Sequence, residues 1–249
     1  MHSPFEATPI DAATLLLAYR SGIFPMADAR DDPEIFWVEP RRRAILPLDG
    51  FHLSRSLART LRREHFAVTC NRAFSQVMDA CAAPRGGDDD GASSWISRRI
   101  QTSYENLHRL GHAHSIECWQ SDENGGAPEL VGGLYGVGFD RVFCGESMFS
   151  RVADASKVAL AFLVASLRRC GAELLDCQFL TEHLASLGAV EIPQAHYIAL
   201  LGQAQRAYAA GDAPLALPDG FAALLAGSSP STGASSPGKL IAQFLTQTS

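Results

Sequence analysis

The sequence predicts an α+β fold built around a mainly antiparallel sheet. Helical periodicity dominates as far as Leu110, and the pattern then runs strand, strand, strand, helix, strand. A chain of 249 residues, 47% hydrophobic and 19% charged, suits a globular protein with a large core, as one domain or as one domain plus a small appendage.

Asp11 to Arg20 reads as a short helix stopped at Ser21 and Gly22, and a proline- and acid-rich loop through GIFPMADARDDPEIFWVEPRRR follows. Residues 1–47 are therefore expected to form a small N-terminal domain, with the division near Leu48. A helix capped by Ser54 comes next, and residues 71–83 suggest another, with Phe74, Val77, Met78 and Cys81 on one face. APRGGDDDGASS is a loop by composition. From Trp95 to Leu110, Ile96, Ile100, Tyr104 and Leu107 recur at helical spacing until Gly111 ends the helix. HAHSIECWQ reads as a strand, ELVGGLYGVGFDRVFCGES as a strand pair, residues 154–170 as a strongly apolar helix and AELLDCQF as a further strand. These belong to a main domain spanning 48–222. Beyond it the pattern fades through the low-complexity GSSPSTGASSPG, so 223–249 is expected to be a disordered tail that docks weakly at most and can be removed without loss of activity.

No apolar run reaches the roughly 18 to 20 residues that a membrane helix needs, and MHSPFEATPID lacks the pattern of a signal peptide. The expectation is a cytoplasmic protein with no membrane partner. Six scattered cysteines without a C-x-x-C pair read as reduced core thiols. The net charge of −6 hides an uneven distribution: between Arg41 and Arg72 eight arginines face two acids, Asp49 and Glu64. On the Ser54-capped helix, Arg55, Arg59 and Arg62 fall on one side, with Arg63 beside them and Leu57 and Leu61 opposite. That is either a solvated face or a basic ridge for phosphates, and the scarcity of acids to pair with favours the ridge.

Charged and amide groups inside apolar strands are the other anomaly. Glu146 stands between Phe143 and Met148, and Asp176 and Gln178 stand among Leu174, Leu175, Phe179 and Leu180. Residues two apart on a strand share a face, so Asp176 and Gln178 are expected to project together, with Cys177 turned away. A carboxylate and an amide so placed can orient or deprotonate a nucleophile; the alternative is a strand end where they bond backbone amides. Cys177 with His183 makes a poor thiol-base pair because the thiol should be buried, and His112 with His114 has no third ligand nearby, so no metal is expected. The helix after SRVADASK lacks the glycine-rich start that exposes amides to a CoA pyrophosphate, which counts against a CoA-dependent N-acyltransferase. The acidic groups inside the sheet count against a noncatalytic RNA-binding module.

AYRSGIFP, HLSRSL, GHAHSIECW, VGGLYGV, FCGESMFS, ASK and LLDCQFLTEHLASLGAVEIP resemble the leucyl/phenylalanyl-tRNA-protein transferase family, from about Asp11 to Tyr208. The resemblance implies a small N-terminal domain and an acetyltransferase-like (GNAT-like) domain that, without a cofactor, moves Leu or Phe from Leu-tRNA or Phe-tRNA onto acceptor proteins beginning with Arg or Lys, marking them for degradation. It implies proton handling by Asp176 and Gln178 and binding of the reacting groups by Glu146. It further implies an aminoacyl pocket of Leu134, Phe143, Met148, Leu160, Leu163 and Leu175, and a 3′-adenosine held by aromatics including Trp95. Met26 stands where the family's tryptophan is expected, and the first domain is expected to be truncated relative to the family. A monomer is expected.

Overall fold

A computed structural model describes residues 8–84, 94–121, 126–207, 213–226 and 236–246. Helix α1 (Ala12–Arg20) starts where the Asp11 carboxylate accepts the Thr14 amide at 3.0 Å, and an antiparallel ribbon of β1 (Phe24–Met26) and β2 (Phe36–Val38) follows. Seven further strands make one sheet: β3 (Arg42–Ile45), β4 (Ala67–Cys70), β5 (Ala113–Gln120), β6 (Glu129–Phe139), β7 (Val142–Ser150), β8 (Leu174–Gln178) and β9 (Val190–Pro193). Their order is β4-β5-β6-β7-β8-β3-β9, and every pairing is antiparallel except β7 with β8. The chain is thus α+β with a small N-terminal part and a mainly antiparallel sheet flanked by helices.

The sheet separates two apolar layers. On one side lie α2 (Arg55–Arg63), α5 (Ala155–Cys170), α6 (Glu182–Ser186), α8 (Leu217–Ala226) and α9 (Pro237–Thr246). On the other lie α1, α3 (Phe74–Ala82), α4 (Arg98–Arg109) and α7 (Gln194–Ala204). Helix α5 links the parallel pair β7 and β8 and is apolar nearly all round, because the sheet covers one flank and α8 and α9 cover others.

Two expectations are corrected here. Strand β3 lies inside the large sheet between β8 and β9, so the sheet begins ahead of the division placed near Leu48. Its four residues between a proline and the PLDG turn are too short for a visible strand pattern. The segment 223–249 is also not an unstructured tail throughout: α8 runs across position 223, and Ile241 and Ala242 of α9 are wholly buried against the α5 layer. Much of GSSPSTGASSPG, residues 227–235, lies outside the described residues. Close approach anchors α9, since a Cβ on Gly238 would sit 1.9 Å from the Leu61 carbonyl oxygen of α2. Ile241→Ala should therefore cost about 2–5 kcal/mol of stability in a denaturant titration, as a core truncation does. A loss below about 0.5 kcal/mol, as at a surface position, would return this segment to a dispensable tail.

Candidate active site

The cleft begins where β7 and β8 part. Their ladder runs from Val142 opposite Leu174 to Cys144 opposite Asp176 and stops, while β7 continues to Ser150. Just past that rung β7 carries a bulge: Tyr135 faces Ser147 and Gly136 faces Gly145, leaving Glu146 as the extra residue. On β8 the chain turns left-handed at Gln178, with φ of 56°. The two strands diverge around a cleft of about 780 Å³ that reaches both faces of the sheet.

The two sides differ in character. Toward α5 the wall is aliphatic, from Leu134, Met148, Leu160, Leu163 and Leu175. Toward α3 it is more aromatic, with Trp95, Phe24, Phe149 and Tyr135 beside Met26. Five of the six expected pocket residues therefore meet. Phe143 does not line the cleft; it is buried beneath, its ring filling the space above Gly136, where a Cβ would fall 2.4 Å from the ring. A strand position gives the face of a side chain but not the layer it ends in, so this departure was not visible in the sequence.

Glu146 and Gln178 stand together at the parting of the strands. Gln178 Nε2 donates to Glu146 Oε1 at 2.7 Å, and the Tyr104 hydroxyl donates to Oε2 at 3.1 Å. Tyr104 in turn meets the Tyr19 hydroxyl. Burial pushes the Glu146 carboxyl up to about 7 from its ordinary 4.5, with the nearby Asp176 charge adding to the rise against the lowering effect of the tyrosine hydrogen bonds and Arg43.

Asp176 lies behind this pair instead of beside it. Its carboxylate is wholly buried, does not line the cleft and is held by a forked bond from Arg43, Nε to Oδ1 at 2.8 Å and Nη2 to Oδ2 at 2.6 Å. Tyr197 donates to Oδ2 at 3.1 Å, and the Gln178 backbone amide donates to Oδ1 at 2.9 Å. The expected shared projection of Asp176 and Gln178 into one cleft is thus corrected: the last bond bends the strand end, so that Gln178 alone reaches the cavity. Arg43 is clasped between the rings of Phe24 and Tyr197, 4.7 and 4.5 Å from their centroids, and its third nitrogen donates to the Gly22 carbonyl at 3.0 Å. Gly22 has φ of +81°, which a side chain would strain.

Arg43 shows that the basic segment is not a uniform patch. Arg42 pairs with Glu191, whereas Arg55, Arg59, Arg62 and Arg63 are exposed on α2 with no salt bridge among the described residues. Thr60 of α2 reaches Asp154 at the start of α5 at 3.4 Å, so the arginine helix abuts the helix whose Ser156 and Leu160 line the cleft. Cys177 does line the cleft, but burial pushes its thiol well up, and no disulfide is formed among the described residues. Sequence reasoning missed Arg43, Tyr197 and the tyrosine pair; a signal existed only for Arg43, the arginine directly before the apolar AILPL.

The Glu146 shift has a sign that can be measured. Between pH 4.5 and about 7 the folded protein keeps a proton that the unfolded chain releases, so this group stabilises the fold below pH 4.5 and loses that contribution as pH rises through 7. Glu146→Gln, uncharged and of equal size, should lack this loss, so its melting temperature should gain on the wild type between about pH 5 and pH 7.5. A pH-independent difference would contradict the raised value.

Residues 45–202 match the family profile described as leucyl/phenylalanyl-tRNA protein transferase, and residues 8–41 match the profile described as its N-terminal domain. A leucyl/phenylalanyl-tRNA--protein transferase of Novosphingobium aromaticivorans is 62% identical over 274 residues, covering 99% of this chain and 100% of that one. The protein of the same name from Rhizorhabdus wittichii is 56% identical over 192 residues, covering 77% and 74%, and that from Zymomonas mobilis is 53% identical over 199 residues, covering 80% and 71%. Among solved structures, FemX aligns with a TM-score of 0.48 at 12% identity, over 72% of this chain and 66% of that one. This chain belongs to the leucyl/phenylalanyl-tRNA protein transferase family and is an aminoacyltransferase.

Proposed function

We propose that the enzyme takes Leu or Phe from Leu-tRNA or Phe-tRNA and joins it to the N-terminal Arg or Lys of an acceptor protein, in the cytoplasm and as a monomer, marking the acceptor for degradation. The observation that carries this reading is the Gln178–Glu146 hydrogen bond standing where the split sheet joins an aliphatic lobe to an aromatic one. Leu134, Met148, Leu160, Leu163 and Leu175 receive the aminoacyl side chain. Unbranched methionine and leucine walls suit Leu or Phe and leave β-branched side chains little room. Trp95 and Met26 flank the terminal adenosine on the other side of the sheet, and Arg55, Arg59, Arg62 and Arg63 hold phosphates of the tRNA body without reading sequence.

The reaction is aminolysis of an ester. The acceptor amine attacks the carbonyl carbon, a C–N bond forms, the C–O bond to the ribose breaks, the amine loses a proton and the ribose hydroxyl regains one. Gln178 spends its amide N–H on Glu146, which leaves its carbonyl oxygen to accept an N–H of the incoming amine and aim the lone pair. A carboxyl raised to about 7 is matched to an α-amine of ordinary pKa about 7.7–8.0, so Glu146 takes up the proton as the C–N bond forms. Asp176 touches neither reactant in this scheme; it positions Gln178.

Incubation with labelled Leu-tRNA and a peptide beginning with Arg tests the reading. Label should enter that peptide and stay out of one beginning with Asp, and Gln178→Ala should slow transfer about tenfold or more while charged-tRNA binding changes little. Near-normal transfer by the variant would remove Gln178 from the mechanism and with it the reading of this cleft as the active site, and label in the Asp-starting peptide would refute the acceptor rule.

A further inference from the structure

Two buried side-chain atoms lack a hydrogen-bond partner among the described residues, Tyr135 Oη and His183 Nε2, and both residues line the cleft. His183 is partly exposed and lies on the α5 side. Tyr135 is wholly buried on β6, and its ring is fixed edge-on by Phe74 and Tyr104, at 5.9 and 5.8 Å between centroids. An unpaired hydroxyl held in a rigid site is costly, on the order of 1–3 kcal/mol, unless an ordered water or a ligand satisfies it.

The surroundings say what kind of ligand. Tyr135, Ser147 and Phe149 share the face of the sheet turned away from α5, by the pairings of Tyr135 with Ser147 and Gly133 with Phe149. Trp95, Met26, Ala80 and Pro84 complete this lobe, so it offers flat apolar surfaces and small residues around the Tyr135 hydroxyl, with the Ser147 side chain on the same face. Such a lobe suits a flat heterocycle with hydrogen-bonding atoms in its plane, stacked on its faces and read at its edge. A cationic acceptor side chain fits it less well, because among the described residues Glu146 is the one carboxylate lining the cleft, and it is engaged with the attacking amine, while Arg151 adds a like charge. Burial, reinforced by the nearby Glu146 charge, also keeps the phenol well above its ordinary pKa, hence protonated and able to donate.

We propose that Tyr135 is a specificity residue whose hydroxyl hydrogen-bonds the edge of the donor's terminal nucleobase. This rests on the reading of the cleft as the active site. The base is then recognised by a directed bond as well as by stacking, and the enzyme tells a tRNA end from any other activated ester of Leu or Phe.

The test compares two small donors with the full-chain enzyme and an Arg-starting peptide: phenylalanyl-adenosine and the phenylalanyl ester of methyl riboside, which lacks a base. Tyr135→Phe should lower the preference for the adenosine donor about five- to tenfold, through KM more than kcat. The phenyl ring keeps both edge-on contacts, and a thermal scan checks the fold. An undiminished preference overturns the inference, whether activity falls equally for both donors or for neither. So does a change confined to the KM of the peptide, which would assign the hydroxyl to the acceptor. Gln178→Ala separates the two levels: full transfer by that variant refutes the cleft as the active site, whereas its failure beside an undiminished preference in Tyr135→Phe refutes the base contact alone.

Discussion

The forked ion pair between Arg43 and Asp176 joins β3 and β8, neighbouring strands of the sheet whose residues are more than a hundred positions apart in the chain. It is buried on both sides, Arg43 at 1% and Asp176 at 0% exposure. Taking two such charges out of water costs several kcal/mol each, and their attraction offsets this only when the remaining hydrogen-bonding capacity is met. Here it is met. The carboxylate accepts from Arg43, Tyr197 and the Gln178 amide, and the guanidinium also holds the Gly22 carbonyl between two aromatic rings. The α1 turn, β3, the end of β8 and α7 are thereby brought to one point, and that point is the floor behind Gln178.

From there the cleft follows by geometry. Asp176 draws in the Gln178 amide, the backbone turns left-handed, and the Gln178 side chain swings across to Glu146. On the facing strand the bulge presents Glu146 at the same height. Neither device would open a cavity in a fully paired sheet; the parting of β7 and β8 after one short parallel stretch provides the room. The same parting lets one cavity have two walls of different chemistry, aliphatic where α5 packs and aromatic where α3 and Trp95 do. A substrate with an apolar side chain at one end of an ester and a flat base at the other fits such a division.

Much of this architecture is written in local pattern. The elements α4, β5, β6, β7 and α5 read directly from periodicity, and the charged and amide groups inside apolar strands single out Glu146, Asp176 and Gln178 in the sequence itself. What escaped was non-local. Strands β3, β4 and β9 have four residues each and owe their place to partners far along the chain. That Arg43 turns inward, unlike Arg55 and Arg59, depends on Asp176, a partner 133 residues away. The C-terminal helix was hidden by the low-complexity run before it. Its signal lay elsewhere: α5 is too apolar all round to be covered by a sheet alone, which calls for further helices such as α8 and α9.

That the buried pair exists to aim Gln178, and not merely to hold the fold together, can be examined with Arg43→Lys, which keeps the charge and removes the fork. The single-turnover rate of transfer from bound Phe-tRNA to an Arg-starting peptide is the measurement, because it isolates chemistry from donor binding. Misplacing a reacting group by a fraction of an ångström should slow this step about ten- to a hundredfold in a protein that still folds and still binds the donor. A folded variant that transfers at the wild-type rate would contradict the account.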